Sequence, residues 1–169
     1  YIAVGNGRTQ PFVYVQGTLG QGADDEDVFV LQLGKESGNQ LWTIEISSGD
    51  TPTPGQERAG GIGVGPRGVV RAAVSSNGFD LAADDVLLKD TPTTPARHGH
   101  LLFLDPDEGR LRNDRLLGAS TEQGGVMDTY NLDIDYAGNT YVAIGFTGSY
   151  SFKGVVQQGV EDAAVVVVD

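Results

Sequence analysis

The stretch DVFVLQLGKESGNQLWTIEISSGD, residues 27–50, decides the fold class. Two apolar runs, VFVLQL at 28–33 and LWTIEI at 41–46, flank the polar segment GKESGN at 34–39. The runs are short and rich in β-branched and aromatic residues, which is typical of strands. A tight turn between them requires a positive φ, which Gly38 supplies without strain. The stretch therefore predicts a hairpin of two antiparallel strands.

This hairpin belongs to a unit that recurs along the chain. Patterns of strand, turn and strand begin at residues 2, 62 and 132, where they read IAVGNGRTQPFVYVQG, IGVGPRGVVRAAVSS and LDIDYAGNTYVAIG. A third apolar run follows each pair, and the first two units continue into a fourth run. Four short antiparallel strands in this order are typical of a β-propeller blade. We predict an all-β propeller segment of about three four-stranded antiparallel blades, the last of them incomplete.

The unit pattern also predicts the domain organisation, a single propeller-like domain over residues 1–169. Its parts are units at approximately 1–50, 61–118 and 126–169, a linker at 51–60 and an insert at 77–99. Closed propellers have about four to eight blades, so this segment does not close a ring alone. We expect a protein partner, either further blades of the same chain or other subunits.

The segments VYVQG…DVFVLQLGKESGNQLW and IDYAGNTYVAIG…EDAAVVVVD resemble the SBBP-type repeats of secreted bacterial proteins, which build seven-bladed β-propellers. The hairpin is also similar to the quinone-type propeller repeat, whose units end in Gly-x-x-Leu-Trp. The first resemblance implies an exported protein that is extracellular, on the cell surface or periplasmic. The second resemblance implies an enzyme domain, such as a quinone-dependent dehydrogenase, and a sugar-acting propeller is a further form of that alternative.

Two functions therefore compete: a non-enzymatic structural or protein-interaction module, and a domain of a propeller enzyme. A catalytic propeller needs polar side chains from several blades around one channel. The predicted inner strands read IAV, IGV and LDI, and they offer one carboxylate, Asp133. No nucleophile motif and no phosphate-binding loop occurs in the sequence, so we predict no catalytic or cofactor-binding residue. The interaction module is the preferred interpretation.

The net charge of the chain limits the classes of partner that it is expected to bind. The 169 residues include 11 Lys and Arg against 23 Asp and Glu, a net charge of −12. This charge repels phosphate backbones, so nucleic acid is not an expected partner. There is no cysteine, which excludes disulfides and cysteine-ligated zinc. The longest apolar run, 163–168, is far short of the roughly 20 residues that span a bilayer, so we predict no membrane span.

Alternating carboxylates provide the candidate calcium ligands. DPDEG contains Asp105 and Asp107, and DIDYAGN contains Asp133 and Asp135. Carboxylates ahead of a glycine resemble part of a calcium loop. The same residue types suit hairpin turns, which is the preferred interpretation because both segments lie where a unit needs a turn. No cofactor is therefore expected, and calcium is the alternative.

Two further groups of polar residues are candidate metal ligands. His98 and His100 lie two apart and share one face of an extended segment, as zinc or copper ligands do. No third ligand is evident, so we expect no tightly bound transition metal. The acidic run at 24–27 lacks the spacing of a calcium loop and is interpreted as a solvated loop.

The aromatic residues and the insert complete the set of candidates. Trp42, Tyr14 and Tyr141 occupy strand positions that favour packing between blades. Apolar residues at 81–83 and 86–88 of the insert indicate one or two helical turns. Because loops often carry binding function, the insert is the candidate partner loop. The side chains proposed for that contact are Phe79, Leu81, Val86, Leu87 and Leu88.

Overall fold

The fold is that of an all-β protein. The computed structural model describes residues 1–6, 11–22, 25–48, 55–78, 80–89, 97–120, 125–152 and 155–169. These residues form thirteen β-strands and one short 3-10 helix, Pro66–Gly68. The prediction of an all-β fold built from antiparallel strands is therefore confirmed. The strands are β1 (Ile2–Asn6), β2 (Pro11–Gly22), β3 (Asp25–Gly34), β4 (Gln40–Ser47), β5 (Glu57–Val64), β6 (Val70–Ser76), β7 (Ala82–Ala83), β8 (Val86–Leu87), β9 (His98–Leu104), β10 (Leu111–Ser120), β11 (Met127–Ile134), β12 (Thr140–Phe152) and β13 (Val155–Val168).

In chain order, the strands form three groups of antiparallel neighbours. The first group is β1-β2-β3-β4, the second is β5-β6-β9-β10, and the third is β11-β12-β13. The short strands β7 and β8 extend the first group beyond β4, and the far end of β12 pairs with β10. Strand β5 begins at Glu57, inside the predicted linker 51–60, of which 51–54 lies outside the described residues.

The hairpin that opens the sequence argument is β3 and β4. Val28 pairs with Ile46 and Gln32 with Trp42, and the chain turns through residues 34–39. The turn is closed by the backbone N–H of Gly38, which donates to the carbonyl of Gly34 at 2.8 Å, and Gly38 has φ +67. Alternate side chains of β4 are buried, so one face of the hairpin enters the core.

The three groups share one pairing register. Ile2, Val15 and Leu31 lie side by side in the first group, and the equivalent rows are Ile62–Ala72–Leu102 and Leu132–Val142–Val166. Successive side chains of a strand point to opposite faces, so the next row lies on the other face. Those rows are Ala3–Tyr14–Gln32, Gly63–Arg71–Phe103 and Asp133–Tyr141–Val167. We call the face of the Ile2 row the leading face and the face of the Tyr14 row the trailing face.

The apolar core lies between the groups. The trailing face of the first group, with Tyr14, packs against the leading face of the second, with Ala72. The trailing face of the second group, with Leu101, packs against the leading face of the third, with Val142. All four residues are at most 2 % exposed. The two internal interfaces thus have the same sense, trailing face on leading face.

At one edge of the groups, strands β5 and β11 come into backbone contact. A Cβ on Gly60 would lie 1.8 Å from Oγ1 of Thr129, and a Cβ on Gly61 would lie 2.8 Å from the backbone nitrogen of Leu132. Gly61 also adopts φ +115, a conformation that L side chains rarely adopt, and its N–H donates to Oε1 of Gln16 at 2.9 Å. The glycines at this edge therefore allow an approach that any side chain would prevent.

Residues 82–87 of the predicted insert 77–99 form a β-hairpin, so the predicted helical turns are wrong. Strands β7 and β8 pair with each other, and β7 adds to the outer edge of β4 through the pair Ile46 and Ala83. Asp84 and Asp85 make the turn, with φ +45 and +65. A short apolar run does not distinguish a strand from a helix, and the unpaired edge of β4 decides between them.

The close approach of β5 and β11 predicts a specific loss of stability. Gly61→Ala places a Cβ against backbone atoms, and Gly38→Ala is its control because Gly38 also has a positive φ but nothing within 4 Å. We expect Gly38→Ala to cost about 1–2 kcal/mol and Gly61→Ala roughly 1–3 kcal/mol more, from overpacking. Urea unfolding of both variants measures the difference. Equal losses would contradict the backbone contact.

Candidate interaction surfaces

The leading face of the first group is uncovered. Ile2 and Val4 are 72 % and 64 % exposed, and Val15 and Leu31 beside them are only partly buried. In the second and third groups the residues at the position of Ile2 are each 7 % exposed. The difference arises because the second and third groups each have a group packed on this face, whereas the first has none among the described residues.

The trailing face of the third group is uncovered in the same way. Tyr141, Val165 and Val167 are 40 %, 63 % and 50 % exposed. In the first group, Tyr14 and Gln32 hold the positions of Tyr141 and Val167, and each is 2 % exposed. The structure thus ends in two apolar sheet faces of opposite kind. Contiguous exposed apolar surface on a folded protein marks an interaction site.

Trp42 and Tyr14 lie between the first and second groups. The indole N–H of Trp42 donates to the carbonyl of Pro106 at 3.1 Å, and the ring rests on Gly109, where a Cβ would come within 2.6 Å. Gln32 Nε2 donates to the Tyr14 hydroxyl at 2.9 Å and to the same Pro106 carbonyl. Burial raises the pKa of Tyr14, and nearby Asp107 adds to the rise.

The sequence analysis predicted the same packing role for Tyr141, and among the described residues no neighbouring group packs on it. Tyr141 is exposed, and its hydroxyl donates to Oδ2 of Asp135 at 3.2 Å. It has the register of Tyr14, but no described group packs on the trailing face that carries it. The sequence pattern shows on which face of the sheet Tyr141 lies. Its burial depends on whether another group packs on that face.

The insert divides into buried and exposed side chains. Leu81 and Leu88 are buried in the core between the first two groups, whereas Val86 and Leu87 are 52 % and 62 % exposed on the outermost strand, β8. Phe79 lies outside the described residues. Of the predicted partner loop, only Val86 and Leu87 are therefore available for contact among the described positions.

The candidate calcium carboxylates serve as turn residues. Oδ1 of Asp105 accepts the backbone N–H groups of Asp107 and Glu108, and Oδ2 accepts Arg112 Nε at 2.9 Å. Burial raises the pKa of Asp105, but these hydrogen bonds outweigh it, so the pKa is lowered overall. Asp107 is exposed on the same turn.

The second carboxylate pair occupies a turn of the third group. Asp135 accepts the backbone and side-chain N–H groups of Asn139, which lower its pKa together with the Tyr141 hydroxyl. Asp133 is exposed and accepts the backbone N–H of Ile134 at 2.8 Å. Within the described ranges, no three or more His, Asp or Glu side chains are grouped to hold a metal ion.

His98 and His100 are buried on β9 at 1 % and 0 % exposure. They lie on one face, with ring centroids 5.2 Å apart at nearly a right angle. Nδ1 of His100 lies 3.6 Å from Oδ2 of Asp114, which also accepts the backbone N–H of Lys89 at 2.9 Å. The pair therefore belongs to the interior between the second group and the insert hairpin.

A buried carboxylate that the sequence analysis missed lies near this pair. Glu57 is fully buried, and Oε1 accepts the Ser76 hydroxyl at 2.5 Å, while Oε2 has no hydrogen-bond partner among the described residues. Burial raises the pKa of Glu57, hydrogen bonds from Ser76 and Ser48 oppose the rise, and Asp27 adds to it. Asp27 itself is buried at the start of β3, although the run 24–27 was predicted to be a solvated loop.

A buried ion pair links the second and third groups. Arg97 Nη1 donates to Oδ1 of Asp128 at 2.9 Å, and Arg58 Nη1 lies 3.6 Å from the other carboxylate oxygen. Beyond Asp128, a shallow open groove of about 550 Å³ reaches Tyr130 and Asp162 on the exposed side of the third group. No sequence pattern links Arg97 to Asp128, because the two lie on separate units.

No family model, curated protein or solved structure matches the chain. In the part of the chain that the structure describes, no helix is long and apolar enough to cross a membrane. The geometry of the sheet groups and their faces therefore carries the functional argument.

The contact of Trp42 with Pro106 and Gly109 predicts a large loss on truncation. Trp42→Ala empties a buried aromatic site and is expected to cost about 3–5 kcal/mol of unfolding free energy. Leu41→Ala, at the adjacent 52 % exposed position, is the control and should change stability by about 0.5 kcal/mol or less. Urea unfolding of both variants tests this. A Trp42→Ala variant as stable as the parent would contradict the packing role.

The raised pKa of Glu57 predicts a pH-dependent stability. Because its pKa is higher in the folded than in the unfolded chain, its contribution is fully present below the unfolded pKa and is lost as pH rises through the folded pKa. Glu57→Gln removes this dependence, so the variant should gain stability relative to the parent as pH rises from acidic to neutral. Unfolding measured across that range is the test, with Glu36→Gln, on the exposed β3–β4 turn, as control. A constant difference between Glu57→Gln and the parent would contradict the assignment.

Proposed function

We propose that the chain is a non-enzymatic structural or protein-interaction module that joins further β-sheets through its two uncovered end faces. One observation carries this proposal. The leading-face row is buried at Ile62 and Leu132 but 72 % exposed at Ile2, whereas the trailing-face row is buried at Tyr14 but 40 % exposed at Tyr141. Each end face therefore has the chemistry of a buried interface but no counterpart among the residues that the structure describes.

We further propose that the three groups are consecutive blades of a β-propeller-type repeat. The order of strands, the common register of the three groups and the resemblance to propeller repeats all support this architecture. The glycine contact between β5 and β11 brings neighbouring groups together at one edge, while Trp42 on β4 is a bulky spacer towards the other. Groups that are close at one edge and spaced at the other are wedges, and wedges arranged around an axis form a ring.

The polar clusters of the described residues favour a structural role over catalysis. His98, His100 and Glu57 are buried between sheets, and Asp128 is engaged by two arginines. A catalytic site requires polar groups that converge on a cavity open to substrate. These groups instead hold neighbouring elements together, which is the use that buried, hydrogen-bonded polar side chains have in a protein interior.

The partner that suits the end faces is another protein sheet. Both faces present aliphatic and aromatic side chains on antiparallel sheet, and such faces pack on one another in sandwiches and propellers. The net charge of −12 disfavours polyanionic partners. We propose that this assembly belongs to an exported protein, at the cell surface, in the periplasm or outside the cell.

Site-specific photo-crosslinking in the natural host tests the module. We expect a benzophenone side chain at Val167 or at Ile2 to form an adduct with polypeptide, and mass spectrometry of the adduct to place the partner atom on a β-strand. The control is the same group at Tyr136, which is fully exposed on a turn rather than on a sheet face. No polypeptide adduct from either end face, or equal adducts from Tyr136, would contradict the proposal.

A further inference from the structure

The two uncovered end faces are of different types, one leading and one trailing, and these are the types that pack on each other inside the chain. Inside the chain, every interface between groups joins a trailing face to the leading face of the next group. The uncovered pair consists of one leading face, on the first group, and one trailing face, on the third. A second copy of the chain therefore offers the same type of contact that the chain already makes twice.

We propose that two copies of this chain associate head to tail, with the trailing face of the third group of one copy on the leading face of the first group of the other. This inference rests on the proposed function and adds the identity of the partner. The expected contact places Tyr141 and Val167 of one copy against the row Ile2, Val15 and Leu31 of the other. Inside the chain, Tyr14 packs in the same way in one core cluster with Ile62 and Ala72.

Side-chain size favours this orientation over a symmetric one. At the centre of the trailing faces the middle strand carries long side chains, Tyr14, Arg71 and Tyr141. At the centre of the leading faces it carries short ones, Val15, Ala72 and Val142. Long residues packed on short ones fill the space between sheets, whereas two trailing faces would oppose long side chains and leave strain or gaps.

The convergence of the three groups at one edge indicates how many copies form a closed particle. The hydroxyl of Tyr1 in the first group donates to the carbonyl of Tyr130 in the third at 2.6 Å, so the groups converge at the edge formed by β1, β5 and β11. Two copies of the three described groups make six, within the four to eight or so blades of closed propellers. We therefore expect a closed particle of two copies with both end faces covered, rather than an open filament.

The net charge of each copy makes this association depend on salt concentration. Each copy carries a net charge of −12, so the copies repel one another at long range. The side chains of the two contact rows are uncharged apart from Asp133. Added salt screens the repulsion and leaves the apolar contact intact. We expect association to strengthen as salt concentration rises.

Complementation between two variants tests the head-to-tail contact. The head variant carries Ile2→Asp and Val4→Asp, and the tail variant carries Val165→Asp and Val167→Asp; all four positions are at least half exposed, so folding should be retained, as circular dichroism and urea unfolding verify. Sedimentation velocity at about 100 µM, where contacts of micromolar affinity are populated, should show two copies for the parent. Each variant alone should associate at least tenfold more weakly.

The mixture of the two variants decides the orientation. Head and tail variants together retain one intact pair of faces, so the equimolar mixture should form a particle of two copies that neither variant forms alone. A variant pair of Arg110→Asp and Tyr136→Asp, on exposed turns, is the control and should leave the parent's association unchanged.

Four results would overturn the inference. A monomeric parent would exclude a second copy as the partner, and adducts from Val167 would then still support the proposed module. A mixture that does not associate would contradict the head-to-tail contact, and a single variant that associates as well as the parent would indicate a symmetric contact. Filaments instead of a two-copy particle would contradict closure.

Discussion

The presence of apolar side chains on both faces of the sheet groups is the constraint on which the rest of the structure depends. Antiparallel sheets commonly bury one face and expose the other. Here Tyr14 and Val15 are neighbours on β2 and point to opposite faces, yet both are apolar, and the same holds for Tyr141 and Val142. A sheet of this kind has apolar surface to bury on both sides. Stacking covers four of the six faces that three groups present, and the two that remain are the candidate interaction surfaces.

Polar side chains fix how the stacked groups align. Gln16 Nε2 donates to the carbonyl of Ala73 at 2.8 Å and its Oε1 accepts the N–H of Gly61, which ties the first group to the second. Arg71 donates to the carbonyl of Gly138 and the hydroxyl of Thr140, which ties the second group to the third. Apolar burial is non-directional, whereas a buried hydrogen bond has one geometry. These bridges therefore select one register among the many that apolar faces alone would allow.

Much of the fold could be predicted from the sequence, because its determinants are local. Alternation in β4, the turn at Gly38 and the order of strands each depend on residues close in the chain. The hairpin of the insert was missed because the edge of β4, which it covers, lies outside the insert itself. Glu57 and the pair of Arg97 and Asp128 were missed for the same reason, since Ser76 lies 19 residues from Glu57 in the chain and Asp128 lies 31 residues from Arg97.

At the end faces, the side-chain positions depend on residues close in the chain, whereas side-chain burial depends on contact with another group. The sequence placed Tyr14 and Tyr141 at equivalent positions, and the pairing registers agree with that equivalence, yet one residue is 2 % and the other 40 % exposed. A repeat pattern encodes which face a side chain occupies, but the neighbour that covers it is encoded elsewhere, in another unit or another molecule. An apolar row that is buried wherever its neighbour is present, and exposed only where the stack ends, has the composition of an interior and not of a surface. This composition is the reason for proposing contact with another sheet, rather than catalysis, as the role of such a row.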